Sequence, residues 1–174
     1  MRYAPALTAA AATAIAAVAA TACAHAQPDP PPTVPPPLPQ PGAVCAEQFA
    51  GALTSLPLPA DAAPSRAKNL LECAGGTWQP YRDPYPSPDR WLTTGPDLVL
   101  SGMRNPEIGA GTWTGTPQVA DTRCRAEQVE VVGAGQTSAP QTSTGEPGAT
   151  LTVPVSDRLF TLTLSGYCLW QRDG

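Results

Sequence analysis

Between Gln128 and Ser165 three short runs alternate apolar and polar residues, and no other feature of this chain restricts its fold as tightly. In Leu159–Ser165, Phe160, Leu162 and Leu164 fall on one side and Thr161, Thr163 and Ser165 on the other, the two-residue period of a half-buried strand. Thr150–Val155 and Gln128–Val131 repeat the pattern. Pro154 has no N–H to give a ladder, which predicts an edge position for its strand. The stretch from Gly133 to Gly148, rich in Gly, Ser, Thr, Gln and Pro, reads as an exposed loop. With a further short strand expected over Asp97–Ser101, residues 97–172 form a β region able to make a small antiparallel sheet or sandwich.

The preceding residues carry a different period. Val44, Cys45, Gln48, Phe49, Ala52, Leu53 and Leu56 recur near helical spacing until Pro57 and Pro59 stop them. A second short helix is predicted from Pro64, which suits a first helical turn, to Ala74, with Ala67, Leu70, Leu71 and Ala74 on one face and Gly75-Gly76 closing it. Residues 43–76 are therefore expected to be a helical hairpin, which would bring Cys45 close to Cys73, and the fold class is α+β. Residues 77–96 read as an irregular strap in which Trp78, Tyr81, Arg82, Tyr85, Arg90 and Trp91 are spaced by prolines.

Residues 1–26 look like an export signal: Arg2 precedes an Ala-rich run, Ala4–Ala22, too poor in large apolar side chains for a convincing membrane span. Two processing points compete. Ala24-His25-Ala26 ahead of Gln27 has the small residues a signal peptidase needs, whereas Ala20-Thr21-Ala22-Cys23 is a loose lipobox that would lipidate Cys23 and anchor the chain in a membrane. Residues 27–42 follow as a Pro-rich linker with nine prolines between Pro28 and Pro41. Such a run favours polyproline II and spans roughly 40 Å at about 3.1 Å per residue.

Residues 43–174 are enough for one domain. The net charge of −4 makes nucleic acid and anionic membrane surfaces unattractive partners. The domain holds Cys45, Cys73, Cys124 and Cys168, an even set that in an exported chain reads as two disulfides, with three pairings open. No Cys-x-x-Cys pair suggests zinc, and no metal or other cofactor is expected. The single histidine, His25, belongs to the leader, so the domain has no Ser-His or Cys-His dyad. Ser65-Arg66-Ala67-Lys68 matches the Ser-x-x-Lys order of penicillin-binding proteins, but Lys68 is the sole lysine and the companion Lys-Thr-Gly element is missing.

Ile108-Gly109-Ala110-Gly111-Thr112-Trp113, then Cys124, a Val-rich strand, Asp157, Phe160, Cys168 and Trp170, resembles small secreted actinobacterial proteins of the mycobacterial type. In these disulfide-containing proteins, which have no assigned activity, an Ile-x-Pro-Gly-Thr-Tyr turn leads to a cysteine strand. Here Ala110 stands in place of Pro and Trp113 in place of Tyr. The resemblance covers the last third of the chain and implies a bridge between Cys124 and Cys168.

The expected function is that of an exported, non-catalytic interaction or structural module, secreted or held at the cell envelope. Trp and Tyr offer rigid faces and Arg forked donors, so Trp78, Tyr81, Arg82, Tyr85, Arg90 and Trp91 are the candidate surface for a cell-wall glycan or an envelope protein. Two alternatives stand beside it: the same domain anchored by a lipid at Cys23, and a glycan-active enzyme working through carboxylates such as Asp83, Asp89 and Asp97, which requires two acids facing one another across a cleft.

Overall fold

The longest alternating run lies in the last strand, β10 (Leu159–Arg172), the axis of the molecule. The computed structural model describes residues 37–57, 68–84 and 86–174, all within one compact unit, Pro36–Gly174. The expected export signal, Cys23, most of the linker, Ser65–Ala67 and Tyr85 lie outside the described residues.

Along one side β10 pairs antiparallel with β4 (Arg90–Ser101). Along the other its first half pairs with β6 (Arg125–Gly133) and its second half with β5 (Gly111–Pro117). The branch point is a bulge at Leu164–Gly166, facing Gly95 of β4. Gly166 is required there: its φ is 90°, and an added Cβ would lie 2.3 Å from the Arg123 carbonyl oxygen. Beyond β5 lies β9 (Leu151–Val155), the last strand of the path and the one that holds Pro154. Beyond β6 lie β7 (Gln136–Thr137) and β8 (Gln141–Thr144), so the stretch read as a loop contains two short strands. Gln128 Nε2 donates to the Pro154 carbonyl at 3.2 Å and ties the two branches together.

On the far side of β4 come β1 (Leu53–Leu56), β2 (Asn69–Ala74) and β3 (Thr77–Pro80), giving the order β3-β2-β1-β4-β10-β5-β9. This corrects the α+β expectation. The described residues are almost all β, with one 3-10 turn, Glu47–Phe49, and no helical hairpin; the sheet is mixed because β1 runs parallel to β4. Gly75-Gly76, expected to end a helix, is instead a two-residue hairpin turn between β2 and β3, with φ of 58° and 79°.

The cause of the misreading is burial on both faces. Leu53 and Leu70 belong to a main core with Trp91, Leu100, Trp113, Leu162, Leu164 and Trp170. The adjacent Ala52 and Leu71 belong to a second core on the opposite face, with Cys45, Phe49, Cys73, Trp78, Leu92 and Leu169. A strand covered above and below loses its two-residue period, and its consecutive apolar residues pass for helical spacing.

The two disulfides join Cys45 to Cys73 and Cys124 to Cys168, each with a Cα separation of 5.9 Å. The first pair is the one expected, but it staples the chain ahead of β1 to a strand, not one helix to another. The end of the Pro-rich segment belongs to the fold as well: Pro39 is buried, and Gly42 and Ala43 exchange backbone hydrogen bonds with Trp78.

Candidate functional site

A crossover makes a candidate cleft. β3 sits at the sheet edge while β4 lies beyond β1, so residues 81–89 must pass over β2 and β1 to connect two strands that run the same way. Tyr81 N–H donates to the Leu70 carbonyl at 2.9 Å at the start of this strap. Arg172 fixes its end, donating from N–H to the Asp89 carbonyl at 2.9 Å and from Nη2 to the Asp89 carboxylate at 2.6 Å. Pro86, between them, is buried.

Between strap and sheet lies a cleft of about 540 Å³, lined from the sheet by Leu53, Glu72 and Arg90 and from the strap by Tyr81, Asp83, Ser87 and Asp89. This volume is in the range of small-ligand sites, about 300–1,000 Å³. Tyr81 is partly buried against the main core, and its hydroxyl titrates above the ordinary 10.0 because burial disfavours the phenolate and because Asp83 and then Glu72 add negative potential. Arg90 is a brace: Nη1 donates to the Ala50 carbonyl and Nη2 to the Gln48 carbonyl, both at 2.6 Å. Its forked donors are thereby spent on backbone rather than turned toward a ligand carboxylate.

Of the residues singled out in the sequence, the structure brings Tyr81 and Arg90 to the cleft, together with Asp83 and Asp89. Trp78 and Trp91 are elsewhere, at 3% and 0% exposure. Trp78 stacks at a tilt on Phe49 with ring centroids 6.2 Å apart, and Trp91 Nε1 donates to the Glu107 carbonyl at 3.2 Å. Both are packing residues in β3 and β4. Arg82, next to Tyr81 in the chain, is exposed and does not line the cleft, and Tyr85 lies outside the described residues. Asp97 is remote from the cleft lining, at the β4 bulge, where its carboxylate accepts from Ser165 Oγ at 2.7 Å. Lys68, of the Ser-x-x-Lys run, is ion-paired with Glu107.

Glu72, like Ser87, is a polar lining residue that sequence reasoning did not single out. Reading Gly75-Gly76 as a hairpin turn would have found it, since that turn sets Glu72 opposite Gln79 and next to the start of the strap. The cleft thus carries three acids, Glu72, Asp83 and Asp89, around one phenol. Among the described residues no group of three or more His, Cys, Asp or Glu side chains is arranged to hold a metal ion.

Two disulfides agree with an extracellular, oxidising location. Among the described residues no helix is long and apolar enough to cross a membrane. Comparison with protein-family models, with curated proteins and with solved structures finds no match to this chain.

Proposed function

We propose that this chain is an exported, non-catalytic interaction module that engages a cell-wall glycan or an envelope protein through the cleft beneath the strap. The observation that carries this reading is the placing of Tyr81 over a cavity of about 540 Å³ whose wall is lined with hydrogen-bonding side chains. A half-exposed phenol offers a flat face for a sugar ring, and Glu72, Asp83 and Ser87 offer acceptors and a hydroxyl for its polar edge. The reading leaves location at two settings, free outside the cell or held at a membrane when Cys23 is lipidated; intact mass of the mature chain separates them.

The test is co-sedimentation of the full exported protein with purified wall material. Tyr81→Ala is expected to weaken retention by about fivefold to thirtyfold, the range of a central aromatic contact, while a surface change far from the cleft, Thr142→Ala, has no effect. Equal retention of both variants would end the reading. The three acids on one cleft favour a second reading, a carboxylate-dependent glycan-active enzyme. It requires release of reducing ends from the same wall material, abolished by Glu72→Gln or Asp83→Asn.

A further inference from the structure

The end of β10 reaches the strap over a turn that two glycines keep clear. Arg172 pairs with Trp113 across the β10–β5 ladder, and its side chain lies against Gly111 and Gly109 in the turn ahead of that tryptophan. A Cβ on Gly111 would sit 3.6 Å from Arg172 Cδ, and a Cβ on Gly109 would overlap Arg172 Nη1 and sit 3.4 Å from its Cζ. Apart from chain neighbours, no other described atom comes within 4 Å of either position. The Gly109 backbone is itself held, since its carbonyl accepts from Trp113 Nε1 at 2.9 Å and the adjacent Ile108 is buried in the main core. A side chain at 109 would therefore displace the guanidinium and nothing else.

That guanidinium ends at the cleft. Its Nη2 donates to Asp89 Oδ1 at 2.6 Å, the Arg172 N–H donates to the Asp89 carbonyl at 2.9 Å, and Asp89 lines the cleft beneath the strap. The pair leaves the Asp89 side chain 62% exposed, so a carboxylate of fixed direction stands open to a ligand. An ion pair this exposed contributes little to folding. Orientation of the carboxylate accounts for the seat better than stability does.

On the reading of the cleft as a glycan site, we propose that Asp89 is a ligand contact that accepts from a sugar hydroxyl, and that Arg172, seated on Gly109, is the positioning residue that aims it. Hydrogen bonds to a carboxylate are charge-assisted and strong. Fixing the acceptor in advance spares the ordering that a loose side chain would undergo on binding. The Gly-x-Gly turn thereby acts on the cleft although neither glycine lines it.

The test is co-sedimentation of the full exported protein with wall glycan freed of protein, with Tyr81→Ala as the reference loss. Asp89→Ala is expected to lower retention by about fivefold or more, and Arg172→Gln and Gly109→Ala by about twofold to fivefold, all with unchanged melting. Arg172→Lys, which keeps the charge, should lose less than Arg172→Gln. The two sites are joined by a double-mutant cycle: Gly109→Ala should lower retention in the native chain but not in Arg172→Lys, which has no Nη1 to displace. Equal losses from Gly109→Ala in both backgrounds, melting that falls in step with retention, or full retention of Asp89→Ala where Tyr81→Ala is lost would overturn the proposal and leave the cleft reading standing. No retention of the unaltered protein would remove both.

Discussion

Tyr81 holds two jobs at one position, closing the main core from above and forming the wall of the cleft. Its hydroxyl and that of Tyr167 both titrate above 10.0, Tyr81 through burial, Asp83 and Glu72, and Tyr167 through burial. A phenol whose pKa is higher folded than unfolded binds its proton more tightly in the native state, so its contribution is complete below the unfolded value and is lost as pH rises toward the folded one. Denaturant midpoints are accordingly expected to fall once pH passes 10.0. In Tyr81→Phe the fall should be smaller but not absent, since Tyr167 remains. A midpoint series at rising pH on both proteins checks this, and an identical alkaline fall in the two would remove Tyr81 from the account. Elsewhere single residues show how closely the core is filled: a Cβ on Gly115 would sit 2.8 Å from the Trp170 ring, so that indole occupies the space a side chain would need.

Elements explain which parts of the fold could be read in advance. β9 and β10 each have one face on the core and one outward, and their alternation is visible in Leu151–Val155 and Leu162–Ser165; in β6 the expected faces are exchanged, for Ala126 and Gln128 stand opposite the buried Leu164 and Leu162 while Val129 stands opposite Thr161. Phe160 breaks the rule: a register shift between Leu159 and Thr161 turns it outward to 44% exposure while Leu159 takes the buried place. Nothing in the residue pattern announces that bulge. β7 and β8 escaped notice because they bury little, and their Thr and Gln residues are held by ladder bonds to β6. β1 and β2 escaped because both faces are covered, and with them Glu72 and the geometry of the cleft. The turn between β2 and β3 gives the sharpest element-level expectation. Gly75→Ala and Gly76→Ala each force an L residue into the left-handed region, at roughly 1–2 kcal/mol per residue. Both should lower the unfolding midpoint and, by loosening Glu72 and Tyr81, weaken cleft binding; unchanged melting of the double variant would contradict the turn.

At the scale of the whole molecule, one sheet carries two cores on its opposite faces, and each has its own disulfide. The bridge in the main core closes a separation of 44 residues and that in the second core one of 28. Loop-closure entropy assigns them about 4.0 and about 3.6 kcal/mol. Cys124→Ser with Cys168→Ser is expected to cost more than that entropy, because both sulfurs have 0% exposure and the hydroxyls would be buried in the main core. Cys45→Ser with Cys73→Ser should leave the main core melting as a unit while the residues ahead of β1 gain amide exchange. Denaturation of the two double variants, with exchange on the second, measures the difference; a second variant that unfolds wholly under native conditions would mean that the two cores do not stand apart.

The Cys45–Cys73 bridge also has a mechanical meaning. Tension on the polypeptide ahead of Cys45 reaches a covalent link to β2, one strand in from the sheet edge, before it reaches β1. Stretching from that end can peel away Gly42 and Ala43 from Trp78, but the load then passes through sulfur to β2, so the cleft above Leu53 and Glu72 keeps its shape under pull.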